Sequence, residues 1–314
     1  MIAKLFIVLS TVLLLTCAGN EQKQNFVSTE IAGIQNSPQI LICSDNKSKT
    51  FTDFINHEKI QFVQFVNDGQ FIDKKAPFTF SKDLLIKELE RAYPDPNASG
   101  IAYIDIEVPY IDYLKEDITT DNYKRSIKLF LDVLDFVKKQ RPNVKWGYYG
   151  IPYTTYWGRD KKFYDQYKKL DPIIRKSDIL FPSIYIFYNH VSFSMENEEY
   201  IEENAKEMIR IANIYNKKVC PFVMSRYHPS NASIGNQKIN DSDFRTYIAA
   251  ISNAKYNNKH VDGIVLWNAD GYSYRTSESV LKKELEKNKI TNFDTYYDQY
   301  IIGLLSLMKK EVEK

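Results

Sequence analysis

Asp105 and Glu107 stand two residues apart at the end of the run Gly100-Ile101-Ala102-Tyr103-Ile104-Asp105-Ile106-Glu107. On an extended strand, residues i and i+2 project to the same side, with Cα atoms about 6.5–7 Å apart. Two carboxylates placed in that way at the end of an apolar strand cannot both ionise cheaply. Repulsion and partial desolvation raise at least one pKa and leave a proton donor near neutral pH. Such a donor can protonate the oxygen of a glycosidic bond. The competing reading is a solvent-facing acidic turn, since Asp and Glu commonly follow strands.

Elements that could hold this pair alternate along the chain. β-rich runs are expected at 39–44, 59–66, 100–107, 145–151, 179–186, 218–225 and 261–267. Helical patterns are expected at 82–93 with Ser81 as cap, 121–140, 162–175, 198–215, 241–255 and 277–286. The helix over 121–140 rests on Ile127, Phe130, Leu131, Leu134, Phe136 and Val137 at helical spacing. Strands separated by helices, each apolar on both faces, predict a parallel sheet covered on both sides: a TIM-like (β/α) barrel of seven or eight strands. No Gly-rich phosphate loop follows the first strand, which counts against a dinucleotide-binding fold. No break in composition marks a second domain. One barrel is therefore expected over 38–314, with the apolar run Ile301, Ile302, Leu304, Leu305 and Leu307 in a terminal helix on its exterior.

Active sites of such barrels lie at the C-terminal ends of the strands. Besides the acid pair, those ends carry aromatics: Trp146-Gly147-Tyr148-Tyr149 running on to Tyr153, Pro182-Ser183-Ile184-Tyr185, Arg226-Tyr227, and Leu266-Trp267. One aromatic at a rim is ordinary core packing. Several converging on an acid pair fit a sugar-binding cleft.

In this order and spacing the motifs resemble the hyaluronidase family of animal glycoside hydrolases, over roughly 59–271. The features carrying the resemblance are Asp105-x-Glu107, Trp146-Gly147-Tyr148-Tyr149, Pro182-Ser183-Ile184-Tyr185, Pro221-x-Val223 followed by Tyr227, and the strand end at Trp267. The resemblance implies that Glu107 is general acid and then base, while Asp105 shares its proton and orients the substrate's acetamido group. It implies that Tyr185 holds that acetamido group, with Tyr227 and Trp267 as further cleft aromatics. It also implies a retaining reaction in which the substrate's own N-acetyl carbonyl, not an enzyme side chain, attacks the anomeric carbon. The departures are specific. A family tyrosine three residues after the Pro152 position is Thr155 here, flanked by Tyr153 and Tyr156, either of which can substitute. The family's Trp-Arg-Pro after the acid pair is replaced by Val108-Pro109-Tyr110. An Arg there would suit an anionic sugar chain, so its loss counts against hyaluronan itself.

The rest of the sequence bounds the function. Acids and bases nearly cancel at net +2, giving no field suited to nucleic acid. The 23 tyrosines tilt slightly toward carbohydrate. Lys4 followed by the apolar stretch 5–15 is too short to span a bilayer well, but suits an export signal. Cys17 directly after it resembles a bacterial lipoprotein site. That implies a signal over 1–17, lipidation and membrane attachment at Cys17, a polar tether over 18–37, and a place in the bacterial cell envelope or outside the cell. Cys43 and Cys220 remain, so no disulfide framework is expected. The four histidines lack ligand spacing, and no metal or organic cofactor is expected. The expected partner is a polysaccharide containing N-acetylhexosamine. Two other readings remain, one with the same barrel and another substrate, one of a different class. A chitinase-type enzyme would carry another Asp where Tyr103 stands. A surface glycan-binding lipoprotein would keep the cleft without turnover.

Overall fold

The structure, a computed structural model, describes residues 37–72 and 75–314. The proposed signal, Cys17 and all but the last residue of the proposed tether lie outside the described residues.

Among the described residues there are eight strands: β1 Gln39–Ser44, β2 Gln61–Asn67, β3 Gly100–Asp105, β4 Val144–Tyr148, β5 Ile179–Leu180, β6 Lys218–Val219, β7 Phe222–Met224 and β8 Gly263–Asn268. Every ladder is parallel. Six strands form one curled sheet in the order β4-β3-β2-β1-β8-β7, and β5 pairs with β6 apart from it. Isolated bridges between Tyr149 and Phe181, and between Ser183 and Phe222, join the two. The expected ring of seven or eight regular strands is thus met in part: the sheet is parallel and curled, but its ladders do not run on around a closed ring.

The shortfall has local causes. The expected strand 218–225 is cut at Pro221, which has no N–H to give a ladder. Before the proline the segment pairs with β5, and after it with β8. The expected strand 179–186 stops at Leu180, two residues before Pro182. β4 ends at Tyr148, and two residues on Gly150 turns the chain at φ +72°. At Gly147 the neighbouring segment comes so close that a Cβ would lie 2.0 Å from the Ile179 carbonyl oxygen, so only glycine fits.

Alternation sorts the strand residues into two layers. Leu41, Cys43, Val63, Ile101, Tyr103, Phe222 and Val265 face one another on the concave side of the sheet. Ile42, Val66, Ala102, Ile104, Trp146, Tyr148 and Leu266 face outward under the helices. Asp105, two positions after Tyr103, continues the concave face.

Helix Asp121–Gln140 has the expected bounds, capped by Thr120. Ser81 caps Lys82–Ala92 as expected, and Asn240 caps Asp241–Asn253. The expected helix 162–175 is broken into Lys161–Tyr164, a 3-10 stretch Asp165–Leu170, and Asp171–Lys176. The helix expected from 198 begins at His190, with non-helical backbone at Phe193. The helix Lys49–His57, capped by Ser48, lies outside the expected elements; Phe51 and Ile55, four residues apart and buried, are its signal. The C-terminal helix Phe293–Val312 packs against Asp241–Asn253 and Lys49–His57.

Candidate active site

Asp105 closes β3, while Glu107 lies beyond it. This corrects the expectation of a strand running to 107. The Glu107 amide turns to Asp68 Oδ2 at 3.2 Å, and its carbonyl accepts from Ile111 N at 3.1 Å, opening a short helical turn. The two carboxyls therefore differ in setting. Asp105 Oδ1 is buried and has no hydrogen-bond partner. Burial first, then the charges of Glu107 and Asp68, push its pKa up to about 7. Glu107 stands at the exposed rim. Partial desolvation of its carboxyl, and then Asp68, raise it above the usual glutamate value.

Asp68 is a third carboxylate that sequence reasoning passed over. Asn67 pairs in register with Asp105, so Asp68 leaves the end of the adjacent strand beside the pair. Its signal in the sequence is an acid two residues after the β-rich run 59–66.

Beneath and beside the acids lies an aromatic wall. Tyr103 stacks on Phe65 at 5.5 Å, and its hydroxyl lies 3.5 Å from Cys43 Sγ. Tyr103 thus fills the concave core at the position where the chitinase pattern has an acid. Tyr149 and Tyr185 have ring centroids 6.1 Å apart, and Tyr185 and Trp267 6.3 Å. Tyr149 donates to Ser183 Oγ at 3.3 Å, and burial pushes its hydroxyl up to about 12. Tyr185 is buried and its hydroxyl is likewise raised well above the ordinary tyrosine value, mainly by desolvation. Asp105, Tyr149, Tyr185 and Trp267 are thus brought together at one end of the sheet.

The other expected cleft residues are placed differently. Tyr153 donates to the Ile111 carbonyl at 3.1 Å and packs under Lys115. Tyr156 donates to Asn197 Oδ1 at 2.9 Å. Both are buried with hydroxyls already engaged, so each braces a loop. Tyr227 is buried in the outer layer rather than with Tyr185 and Trp267. Arg226 forms ion pairs: its guanidinium bridges Asp270 at 2.7–2.8 Å and Glu284 at 2.8 Å. Asp270 is buried against it at the start of the helix Asp270–Arg275. His228 lies 2.7 Å from Ser230 Oγ, and His190 3.6 Å from Glu198. Among the described residues no cluster of three or more His, Cys, Asp or Glu is placed to hold a metal.

A curled parallel sheet with carboxylates and aromatics at its C-terminal end has the architecture of TIM-barrel-like glycoside hydrolases. The structure is similar to bee venom hyaluronidase in complex with a hyaluronic acid tetramer, with TM-score 0.58 and 16% identity, covering 82% of this chain and 98% of that one. The profile of the family described as Hyaluronidase matches residues 107–296, and the chain belongs to that family. Among its relatives, a hyaluronidase of Polybia paulista is 24% identical over 233 residues, 62% of this chain and 77% of that protein. A chondroitin hydrolase of Caenorhabditis elegans is 27% identical over 185 residues, 46% of this chain and 40% of that protein.

Proposed function

We propose that this hyaluronidase-family glycoside hydrolase cleaves β-N-acetylhexosaminide bonds in an extracellular polysaccharide, with retention and with the substrate's acetamido group as nucleophile. The observation that carries this reading is the unpartnered, buried Asp105 oxygen on the strand that leads to Glu107, beside the aromatic wall of Tyr149, Tyr185 and Trp267. A carboxyl with a pKa near 7 and a vacant acceptor position suits an amide N–H that must be oriented and polarised. Glu107, more open and also raised, then delivers the proton to the leaving oxygen and later draws one from water. Tyr185 contacts the acetamido group, and Trp267 and Tyr149 offer ring faces. Tyr153, Tyr156 and Tyr227 shape the cleft walls through the loops they brace.

The relatives act, by their names, on hyaluronan and chondroitin, so a glycosaminoglycan is the first substrate to try. The replacement of the Trp-Arg-Pro segment by Val108-Pro109-Tyr110 makes uncharged N-acetylhexosamine polymers the second. Export fits the apolar stretch before Cys17. We place a signal over 1–17, a lipid anchor at Cys17, a tether over 18–37 and one catalytic domain over 38–314. Among the described residues no helix is long and apolar enough to cross a membrane.

The test is release of reducing ends from hyaluronan, chondroitin, chitin oligomers and peptidoglycan by the wild type and by Glu107→Gln. Turnover of one polymer that disappears in the variant, together with inhibition by a thiazoline mimic of the cyclised intermediate, is expected. Equal turnover in the variant overturns the role of Glu107. Turnover without thiazoline inhibition overturns the substrate-assisted route. Tight binding with no turnover on any polymer would favour a glycan-binding protein.

A further inference from the structure

The three tryptophans have three different fates. Trp146 is fully buried under the helices, Trp267 is half-buried in the candidate cleft, and Trp157 is 55% exposed. Trp157 lies in the loop after β4, on the same end of the sheet as Asp105. An exposed indole keeps a large apolar face in water, which is unfavourable by the usual area argument. A loose loop could bury such a side chain by collapse. This loop is not loose. Thr155 exchanges two hydrogen bonds with the Asn204 side chain, at 3.1 and 2.9 Å. Tyr156 is tied to Asn197 at 2.9 Å, and Thr154 Oγ1 donates to the Ser183 carbonyl. Arg159 clamps the loop to the helix His190–Tyr215 through Glu203 at 2.7 Å and Glu199 at 3.2 Å, and donates to the Tyr156 carbonyl. The chain therefore holds the indole out.

Trp157 is also linked to the aromatic wall beside Asp105 through packed rings. Ring centroids step from Tyr185 to His228 at 6.0 Å, to Phe187 at 4.7 Å, to Tyr156 at 6.0 Å and to Trp157 at 4.7 Å. Tyr188, half-buried, sits 6.0 Å from Trp157 and packs beside it on Tyr156 at 4.8 Å. We propose that Trp157 and Tyr188 form an outer sugar subsite that stacks an uncharged pyranose of the same chain cleaved at Asp105 and Glu107. Aromatic faces take the C–H face of a sugar ring, and a fixed platform binds without ordering cost. The nearby charges decide against a uronate. Arg159 is already paired with two glutamates, and Glu196 acts on Tyr156 as a further negative charge. In an alternating polymer the subsite would take the N-acetylhexosamine unit.

This inference rests on the proposed function, and the experiment separates the two. The measurement is kcat/KM on N-acetylhexosamine-containing oligosaccharides of increasing length. Wild type is expected to gain with length once the chain reaches the loop. Trp157→Ala should cut the long-to-short ratio by about two- to tenfold, the size of one aromatic contact, and Trp157→Tyr should restore most of it. A fall by the same factor at every length means that Trp157 only props the loop, and no fall means that it binds nothing; either overturns the subsite and leaves the catalytic reading standing. If wild type turns over no oligomer, calorimetric titration of the same oligomers decides. Affinity that grows with length and is flattened by Trp157→Ala supports the subsite while the hydrolase reading fails. Absence of binding at every length overturns both.

Discussion

Two clusters of charge occupy the C-terminal ends of the strands, and they are built on opposite rules. At β2 and β3, Asp68, Asp105 and Glu107 stand together, and among the described residues no ion pair joins a cation to the carboxyl of Asp105 or Glu107. At β7 and β8, Arg226 is forked onto Asp270 and reaches Glu284, which Lys238 joins at 2.7 Å and Tyr296 at 2.6 Å. Burial acts on both sets. In the first it is reinforced by like charges and the pKa values rise. In the second burial would raise Glu284, but Arg226, Lys238 and Tyr296 hold it below the usual value. A carboxylate matched to a guanidinium has no use for a proton near pH 7. One left unmatched keeps a proton to higher pH and so has one to give near neutrality. The first cluster is therefore fitted for proton transfer, and the second for fixing the strand ends that carry Trp267 and Tyr227.

The comparison breaks most sharply at Glu107. Glu107→Gln removes a titrating proton from an exposed rim position. It should lower kcat by about 10²–10⁴-fold, the range of general acid catalysis, while the melting temperature stays near that of wild type. A comparable loss of activity from unfolding, seen as a shifted transition in circular dichroism, would remove the distinction.

Arg226 should behave in the reverse way. Arg226→Leu leaves Asp270 buried without its counter-charge. Losing one partner of such a pair typically costs about 3–5 kcal/mol of stability. Urea titration measures this, and Arg226→Leu combined with Asp270→Asn should recover part of it. Loss of activity without loss of stability would place Arg226 at the substrate after all.

Asp105 gives an effect of opposite sign. Its pKa is raised in the folded protein, so between its unfolded value and about 7 the native state binds more protons than the unfolded chain. Stability contributed by this group is thus present at low pH and lost as pH rises through about 7. Asp105→Asn should remove that slope and stabilise the protein at pH 8 by at most about 4 kcal/mol, with the gain vanishing near pH 3.5. A variant less stable than wild type at pH 8 would mean that the ionised carboxylate is well solvated in place.

Much of this arrangement is legible in the amino-acid sequence. The parallel α/β frame follows from apolar strands alternating with capped helices, and that frame puts Asp105, Tyr149, Tyr185 and Trp267 at strand ends. The misses have physical causes. Glu107 leaves the strand because its amide is taken by Asp68, a contact between chain segments 39 residues apart that no local pattern reports. Tyr153, Tyr156 and Tyr227 have the right type and spacing for a cleft, but their burial depends on partners such as Asn197 and Ile111 that sequence does not pair with them. Arg226 could not be assigned because Asp270 and Glu284 lie 44 and 58 residues away.

Asp68 tests the comparison most finely. It adds negative charge beside both carboxyls of the pair and contributes to raising each. In Asp68→Asn that repulsion is gone, so Asp105 and Glu107 should both ionise at lower pH. Activity that depends on a protonated carboxyl must then fail earlier as pH rises, and the basic limb of the kcat/KM profile should move toward lower pH. The side-chain amide can still accept from the Glu107 N–H through its oxygen, so the loop after β3 keeps its anchor and a simple collapse of the site is not expected. The direction of the limb separates the causes. A shift toward higher pH would mean that Asp68 stabilises ionised neighbours through an intervening donor. An unchanged limb with a raised KM would make Asp68 a substrate contact rather than part of the proton-holding group.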